Sequence, residues 1–387
     1  MTAVARSLLA LALVSRCCGA SNATAPKATE ANATRSWRSS GCGKAPPVAP
    51  GAPATKLSMW APDGNPLFPS GYAERHYFLW VPPTYKADAP ASLVLDFHGF
   101  YDNAGDEVEE SGLIDVATRA GKNYVVVYPV GSGGGGSGDS RSWNVDGNGL
   151  NTEPGPSGPV CRLPRTRDDE YVCFESCKVT TQGCDPWRGC NSAACLDDSG
   201  FVAALLESLK AELCVDVNAI HVAGISAGGM MAYQVALDHS DQVASIAPVA
   251  GSRFFGFNRA PAHPVAVLSS HGYADWTIPA NASNGAQDPK PPGIAESSDH
   301  FFYHEEPTIL EQFADDCDGK VARYPTKFDG DRDLQCLRPF GTCKAADVVM
   351  CVGQWGHTWP LHKTDPAAWA TLALDFFDAT KKRRRDP

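Results

Sequence analysis

The chain has 387 residues, 43% of them hydrophobic and 20% charged, which is enough to bury a sizeable core in one large α/β domain or two smaller ones. Its formal net charge of −11 argues against nucleic acid as a partner, because a phosphate backbone is bound by clustered Lys and Arg. Fourteen cysteines argue against a reducing compartment and point to an oxidising one.

Residues 1–20 have the layout of a secretory signal peptide: Arg6, the apolar run Ser7 to Val14, then small residues around Cys17 to Ala20. The run is too short to span a bilayer, so a secreted, extracellular product without a membrane anchor is expected. Setting aside Cys17 and Cys18 leaves an even number of cysteines that can pair. The sequons at Asn22, Asn32 and Asn281 are candidate N-glycosylation sites and agree with export. Residues 21–56 are rich in Ala, Thr, Ser and Pro and read as a flexible lead-in, with Cys42 in the island Ser40 to Lys44 pinning this arm to the body.

The body is expected over 57–380. Strands are predicted at Arg75 to Val81, Ser92 to Phe97 and Tyr124 to Tyr128, with an amphipathic helix from Asn103 to Ala120 between the last two. Strands alternating with helices predict a mostly parallel sheet flanked by helices. The glycine-rich 131–138 lacks the Gly-Lys-Ser/Thr of a phosphate loop and reads as surface loop. Residues 145–195 carry Cys161, Cys173, Cys177, Cys184 and Cys190 without a zinc spacing, and read as a disulfide-rich insertion beside a cleft. A helix follows from Asp197 to Lys210, with Asp197 and Asp198 expected as cap and dipole partners.

Next comes His221 to Tyr233, in which an apolar strand ends in Gly224-Ile-Ser226-Ala-Gly228 and runs straight into a helix. A nucleophilic hydroxyl must stand clear of the backbone on a tight turn, and glycines on both sides allow the close approach that such a turn forces. The context makes Ser226 the candidate nucleophile, with the Ala227 amide aimed at a developing oxyanion. Five-residue matches arise by chance in a chain with 36 glycines; the strand and helix on either side distinguish this one.

A serine hydroxyl needs an imidazole base, and the base needs an acid to fix its tautomer. The strand Val265 to His271 is followed by Asp275, and the last strand, Val348 to Cys351, by His357 on a loop flanked by Gly353 and Gly356. Both lie at carboxyl ends of strands, where α/β sheets place their sites. Asp315 and Asp316 are competing acids at a helix end, and His300, His304 and His362 lack the strand-then-glycine setting. The loop His98-Gly99-Phe100 offers a second oxyanion amide at Phe100, with His98 bracing the turn. Trp143, Trp276 and Trp359 are candidate substrate-binding side chains, although a tryptophan beside a strand end is as often core. Asp329 to Asp333 alternates carboxylates without the glycine and distal glutamate of a calcium loop, and no pattern calls for a metal or a cofactor. The chain ends in a helix over Pro366 to Ala379 and a basic tail, 381–387.

Phe97-His-Gly99, Tyr128-Pro129, Ser142-Trp-Asn144, Asp197-Asp198, Gly224 to Met231, His271 to Asp275 and Gly356 to Pro360 together resemble the secreted feruloyl esterases and polyhydroxybutyrate depolymerases of the α/β-hydrolase fold, carbohydrate esterase family 1 in the broad sense. The resemblance covers about residues 40–380. It implies a catalytic triad of Ser226, Asp275 and His357, oxyanion amides from Phe100 and Ala227, and a monomeric enzyme acting on a polymeric ester. Many members carry cysteine directly after His-Gly, where Phe100 stands here. A feruloylated polysaccharide is the first expected substrate and a polyhydroxyalkanoate the second. A binding protein on the same fold is the alternative from another class.

Overall fold

The computed structural model of the chain describes residues 37–63, 70–134, 140–147, 155–162, 174–178, 194–281, 293–328 and 333–380. The expected signal peptide, Asn22, Asn32, most of the expected insertion, part of Asp329 to Asp333 and the basic residues 381–387 lie outside the described residues.

Among the described residues, ten strands form the main sheet. They are β1 (Thr55–Pro62), β2 (Tyr72–Trp80), β3 (Ala91–Phe97), β4 (Tyr124–Pro129), β5 (Val215–Ile225), β6 (Ser245–Val249), β7 (Ala266–Gly272), β8 (Ala322–Arg323), β9 (Gln335–Arg338) and β10 (Val348–Gly353). Their order across the sheet is β1-β2-β4-β3-β5-β6-β7-β10-β9-β8. The six strands from β4 to β10 pair in parallel, and both edges are closed by antiparallel pairs.

Every residue of β3, β4, β6 and β7 is buried. Continuous apolar strands are what a sheet covered on both faces requires. The cover includes α1 (Ala104–Glu110), α2 (Leu113–Arg119), α3 (Asp198–Glu212), α4 (Ala227–Asp238), α5 (Glu306–Glu311) and α6 (Ala368–Thr380). Helix α6 buries Trp369, Leu372, Phe376 and Phe377, each contributing about 1.5–3 kcal/mol of apolar burial. The strand order, the parallel centre and the sharp strand-to-helix turn at Ser226 define an α/β-hydrolase fold.

Two local expectations are corrected. The helix foreseen over 103–120 is two helices, because Gly112 sits at φ +69°, a left-handed conformation that ends α1 and caps α2. The lead-in is not flexible to residue 56. Within its described part, Ser39 and Gly41 donate backbone hydrogen bonds to Val215 and Lys210, and Cys42 is bonded to Cys214 at the foot of β5. The acids that open α3 stand as expected, Asp197 as the cap accepting from the Gly200 amide and Asp198 in the first turn. Asp198 is in addition buried in an ion pair with Arg75 and accepts from the Asn144 amide at 2.6 Å. That pair ties α3 to β2 and anchors the segment carrying Trp143.

Other disulfides join Cys177 to Cys195, Cys317 to Cys343, and Cys336 of β9 to Cys351 of β10. Cys161 is disulfide-bonded as well. No helix among the described residues is long and apolar enough to cross a membrane.

Candidate active site

Ser226 lies between β5 and α4 at φ +59°, ψ −123°, a strained conformation for a residue with a side chain. Its amide donates to Val249 O at 2.8 Å, which holds the turn against β6. The turn is tight enough that a Cβ built on Gly224 would lie 2.6 Å from the Gly228 carbonyl carbon. One built on Gly228 would lie 2.5 Å from Phe97 C and 2.6 Å from His98 O. The glycines therefore let the serine turn pack directly on the end of β3.

Three separate loops bring their side chains together here. Ser226 Oγ is 2.7 Å from His357 Nε2, and His357 Nδ1 is 2.8 Å from Asp275 Oδ2. A carboxylate only accepts, so Nδ1 carries the proton and Nε2 is left to accept from the serine hydroxyl. Asp275 is fully buried, and its Oδ1 accepts from the amides of Thr277 and Ile278, both at 2.9 Å. Burial alone would raise its pKa, but hydrogen bonds from His271 and His357 outweigh that and hold it at about 2. The acid and histidine loops are sewn to each other: Tyr273 N donates to Gly353 O and Ala274 N to Trp355 O. Asp315 and Asp316 are exposed, and Asp316 pairs with Lys344 instead.

Gly99 lies against the serine, with an ideal Cβ there only 3.6 Å from Ser226 Cβ. His98 is fully buried; Nε2 accepts from the Gly131 amide at 3.0 Å, so Nδ1–H donates to Gly99 O at 2.8 Å. Burial lowers its pKa to about 4, which keeps it the neutral brace that the sequence suggests. Among the described residues, the amides of Phe100 and Ala227 donate to no acceptor within the protein.

The three tryptophans part company. Trp143 is fully buried, donates from Nε1 to His98 O at 2.8 Å and packs edge-on against Phe97, so it supports the loop from beneath and has no face open to a substrate. Trp359 is buried against Trp369, ring centroids 4.3 Å apart, and belongs to the core. Only Trp276 of the three is open, at 55% exposure, directly after Asp275. An aromatic group absent from the sequence reading stands on the other side. Phe100 meets Tyr101 and Phe174 at ring-centroid distances of 5.0 and 5.7 Å, which sets Phe174 against the oxyanion loop. Its signal was two adjacent aromatics after His-Gly. Glu306, which approaches from α5 behind Asp275, had no signal at all in local sequence. Among the described residues no group of three or more His, Cys, Asp or Glu side chains has the arrangement of a metal site.

The geometry thus brings Ser226, His357 and Asp275 into one hydrogen-bonded line on an α/β-hydrolase fold. No protein-family model matches the chain. A probable feruloyl esterase C of Aspergillus clavatus is 30% identical over 89 residues, 23% of this chain and 32% of that protein. A second probable feruloyl esterase C, from Aspergillus niger, is 22% identical over 223 residues, 56% of this chain and 61% of that protein. A putative esterase of Nocardia uniformis subsp. tsuyamanensis is 27% identical over 172 residues, 42% of this chain and 48% of that protein. In each case the matched stretch is less than two thirds of the relative. Among solved structures, an acetyl xylan esterase from Aspergillus awamori has a TM-score of 0.43 at 13% identity, covering 81% of this chain and 98% of that one. The fold assignment stands on the strand order and the serine turn rather than on that likeness.

Proposed function

We propose that the protein is a secreted carboxylic ester hydrolase that works through a Ser226 acyl-enzyme. The observation that carries the reading is the unbroken line of hydrogen bonds from Ser226 Oγ through His357 to the buried Asp275, with the serine held on a strained turn. His357 Nε2 takes the serine proton as Oγ attacks the ester carbonyl carbon. The tetrahedral oxyanion is met by the amides of Phe100 and Ala227, each such donor being worth about 3–4 kcal/mol to the transition state in serine hydrolases. Collapse breaks the bond to the alcohol, which leaves with the proton from His357. Water, deprotonated by the same imidazole, then releases the acid. Asp275 stays ionised throughout and stabilises the imidazolium, consistent with its strongly lowered pKa.

For substrate we propose a hydroxycinnamoyl ester of a polysaccharide. Support comes from the feruloyl esterases among the similar proteins and from the exposed Trp276 and Tyr101, which offer flat apolar faces to a phenolic acyl group. Four disulfides between described residues and the sequence of the first twenty residues support export. The test is hydrolysis of methyl ferulate and p-nitrophenyl acetate by the purified protein beside Ser226→Ala. Cleavage by the wild type alone supports the reading. A marked preference for p-nitrophenyl butyrate and oligomeric hydroxybutyrate over ferulate would move the substrate to a polyester. A folded wild type inert on all of them would leave a binding protein.

A further inference from the structure

We propose that His271 is a positioning residue of this site: a buried imidazolium clamped between Asp275 and Glu306 that fixes the acid against His357. The proposal rests on the reading of Ser226, His357 and Asp275 as a catalytic triad.

His271 lies at the end of β7 and is fully buried. Its Nε2 is 2.6 Å from Ile278 O and 3.4 Å from Asp275 Oδ2. A carbonyl cannot donate, so Nε2 carries a proton and donates it to Ile278 O, with the Asp275 carboxylate at ion-pair distance beside it. On the other side of the ring Nδ1 is 3.5 Å from Glu306 Oε2. Glu306 is itself held in place, its Oε1 accepting from Tyr233 Oη at 2.7 Å and from Ser269 Oγ.

The charged and titratable groups around His271 are therefore Asp275 on its own loop, Glu306 from α5, Tyr233 from α4 through Glu306, and His357 beyond Asp275. Tyr233 is kept neutral, because burial and the neighbouring Glu306 both push its pKa up. Two buried carboxylates without a cation between them would be costly, and an imidazolium satisfies both. Burial by itself would discharge His271, but the adjacent carboxyl groups of Asp275 and Glu306 overcome it and raise the pKa to about 10.

Two consequences follow for the reaction. Asp275 receives three hydrogen bonds, two amides on Oδ1 and His357 on Oδ2, and the His271 ring stands 3.4 Å from Oδ2, so the carboxylate is held from both sides. The permanent positive charge behind Asp275 also offsets part of the field that the carboxylate exerts on His357. Activity therefore extends further into acid than it would without that charge.

The variant His271→Gln keeps a hydrogen-bonding side chain and removes the charge. The expected result is an acid limb of the kcat/KM profile for p-nitrophenyl acetate displaced upward by about one pH unit, with a lower plateau. A merely structural histidine would lower activity equally at every pH, and an unmoved limb in a folded, active H271Q overturns the proposal. Nitrogen NMR of the wild-type imidazoles decides it independently of folding in the variant and of any activity. The His271 ring should stay doubly protonated from pH 6 to pH 8, and a neutral tautomer in that range overturns the proposal. Inactivity of wild type on all esters would sink the esterase reading while leaving this NMR result intact, so the two failures are distinguishable.

Discussion

Replacing Gly228 by alanine tests whether the serine turn is built by close packing on β3. The new methyl carbon would lie 2.5 Å from Phe97 C and 2.6 Å from His98 O, with Phe97 O closer still. Ordinary carbon contacts are about 3.5–4.0 Å, so one side must retreat by about 1 Å. Neither side is a flexible side chain. The atoms met are backbone at the end of a fully buried strand, and Gly228 is in the first turn of a helix buried almost throughout. Overpacking of this sort costs about 1–3 kcal/mol. The strand end that must shift leads directly into His98-Gly99-Phe100, so the expected loss of kcat/KM is about 100-fold, the penalty for a displacement near 1 Å at a reacting centre. The assay is urea unfolding alongside p-nitrophenyl acetate hydrolysis. A G228A protein with wild-type stability and activity within threefold of wild type would refute the packing argument.

Three further outcomes are expected. Asp96 on β3 and Glu107 on α1 are fully buried together; burial pushes Asp96 up to about 7 and holds Glu107 well above the carboxylate range. Raised acids contribute stability below their unfolded values, near 4, and lose it as pH rises through the folded value, at up to about 1.4 kcal/mol per pH unit per proton. Glu107→Gln should therefore flatten the fall in urea midpoint between pH 5 and pH 8, and an unchanged slope would contradict this. Opening the Cys42–Cys214 bridge with a double serine variant should cost about 2–5 kcal/mol and release the arm from 37 onward to proteolysis, read by thermal unfolding and limited digestion. Trp276→Ala should raise KM for methyl ferulate about tenfold while leaving p-nitrophenyl acetate nearly unaffected, whereas equal effects on both would remove Trp276 from the acyl pocket.

Much of this architecture is legible in the sequence because burial on both faces leaves a strong trace. Strand β4 reads as an unbroken apolar run and β3, β7 and β10 as largely apolar ones, and the ends of β3, β7 and β10 locate Gly99, Asp275 and the turn before His357 within a few residues. What escaped depends on long-range packing. Gly112 inside an otherwise amphipathic stretch gives no sign that its φ is positive. Asp198 is legible as a first-turn acid after the Asp197 cap; only Arg75, far away on β2, also makes it a buried ion pair. Trp143 and Trp359 sit beside site motifs in sequence yet point inward, since a strand end is also where the core closes. His271 stands in plain view four residues before Asp275. Its partner Glu306 reaches it only through the placement of α5, which no local pattern encodes.

The central claim is that Ser226 is an activated nucleophile, and trapping it covalently is the most direct test. Incubated with diethyl p-nitrophenyl phosphate, the wild type should release p-nitrophenolate and gain one diethylphosphoryl group, mapped by mass spectrometry to the peptide containing Ser226. Ser226→Ala should gain none. A folded wild type that remains unlabelled, or a variant labelled to the same extent, would contradict the account.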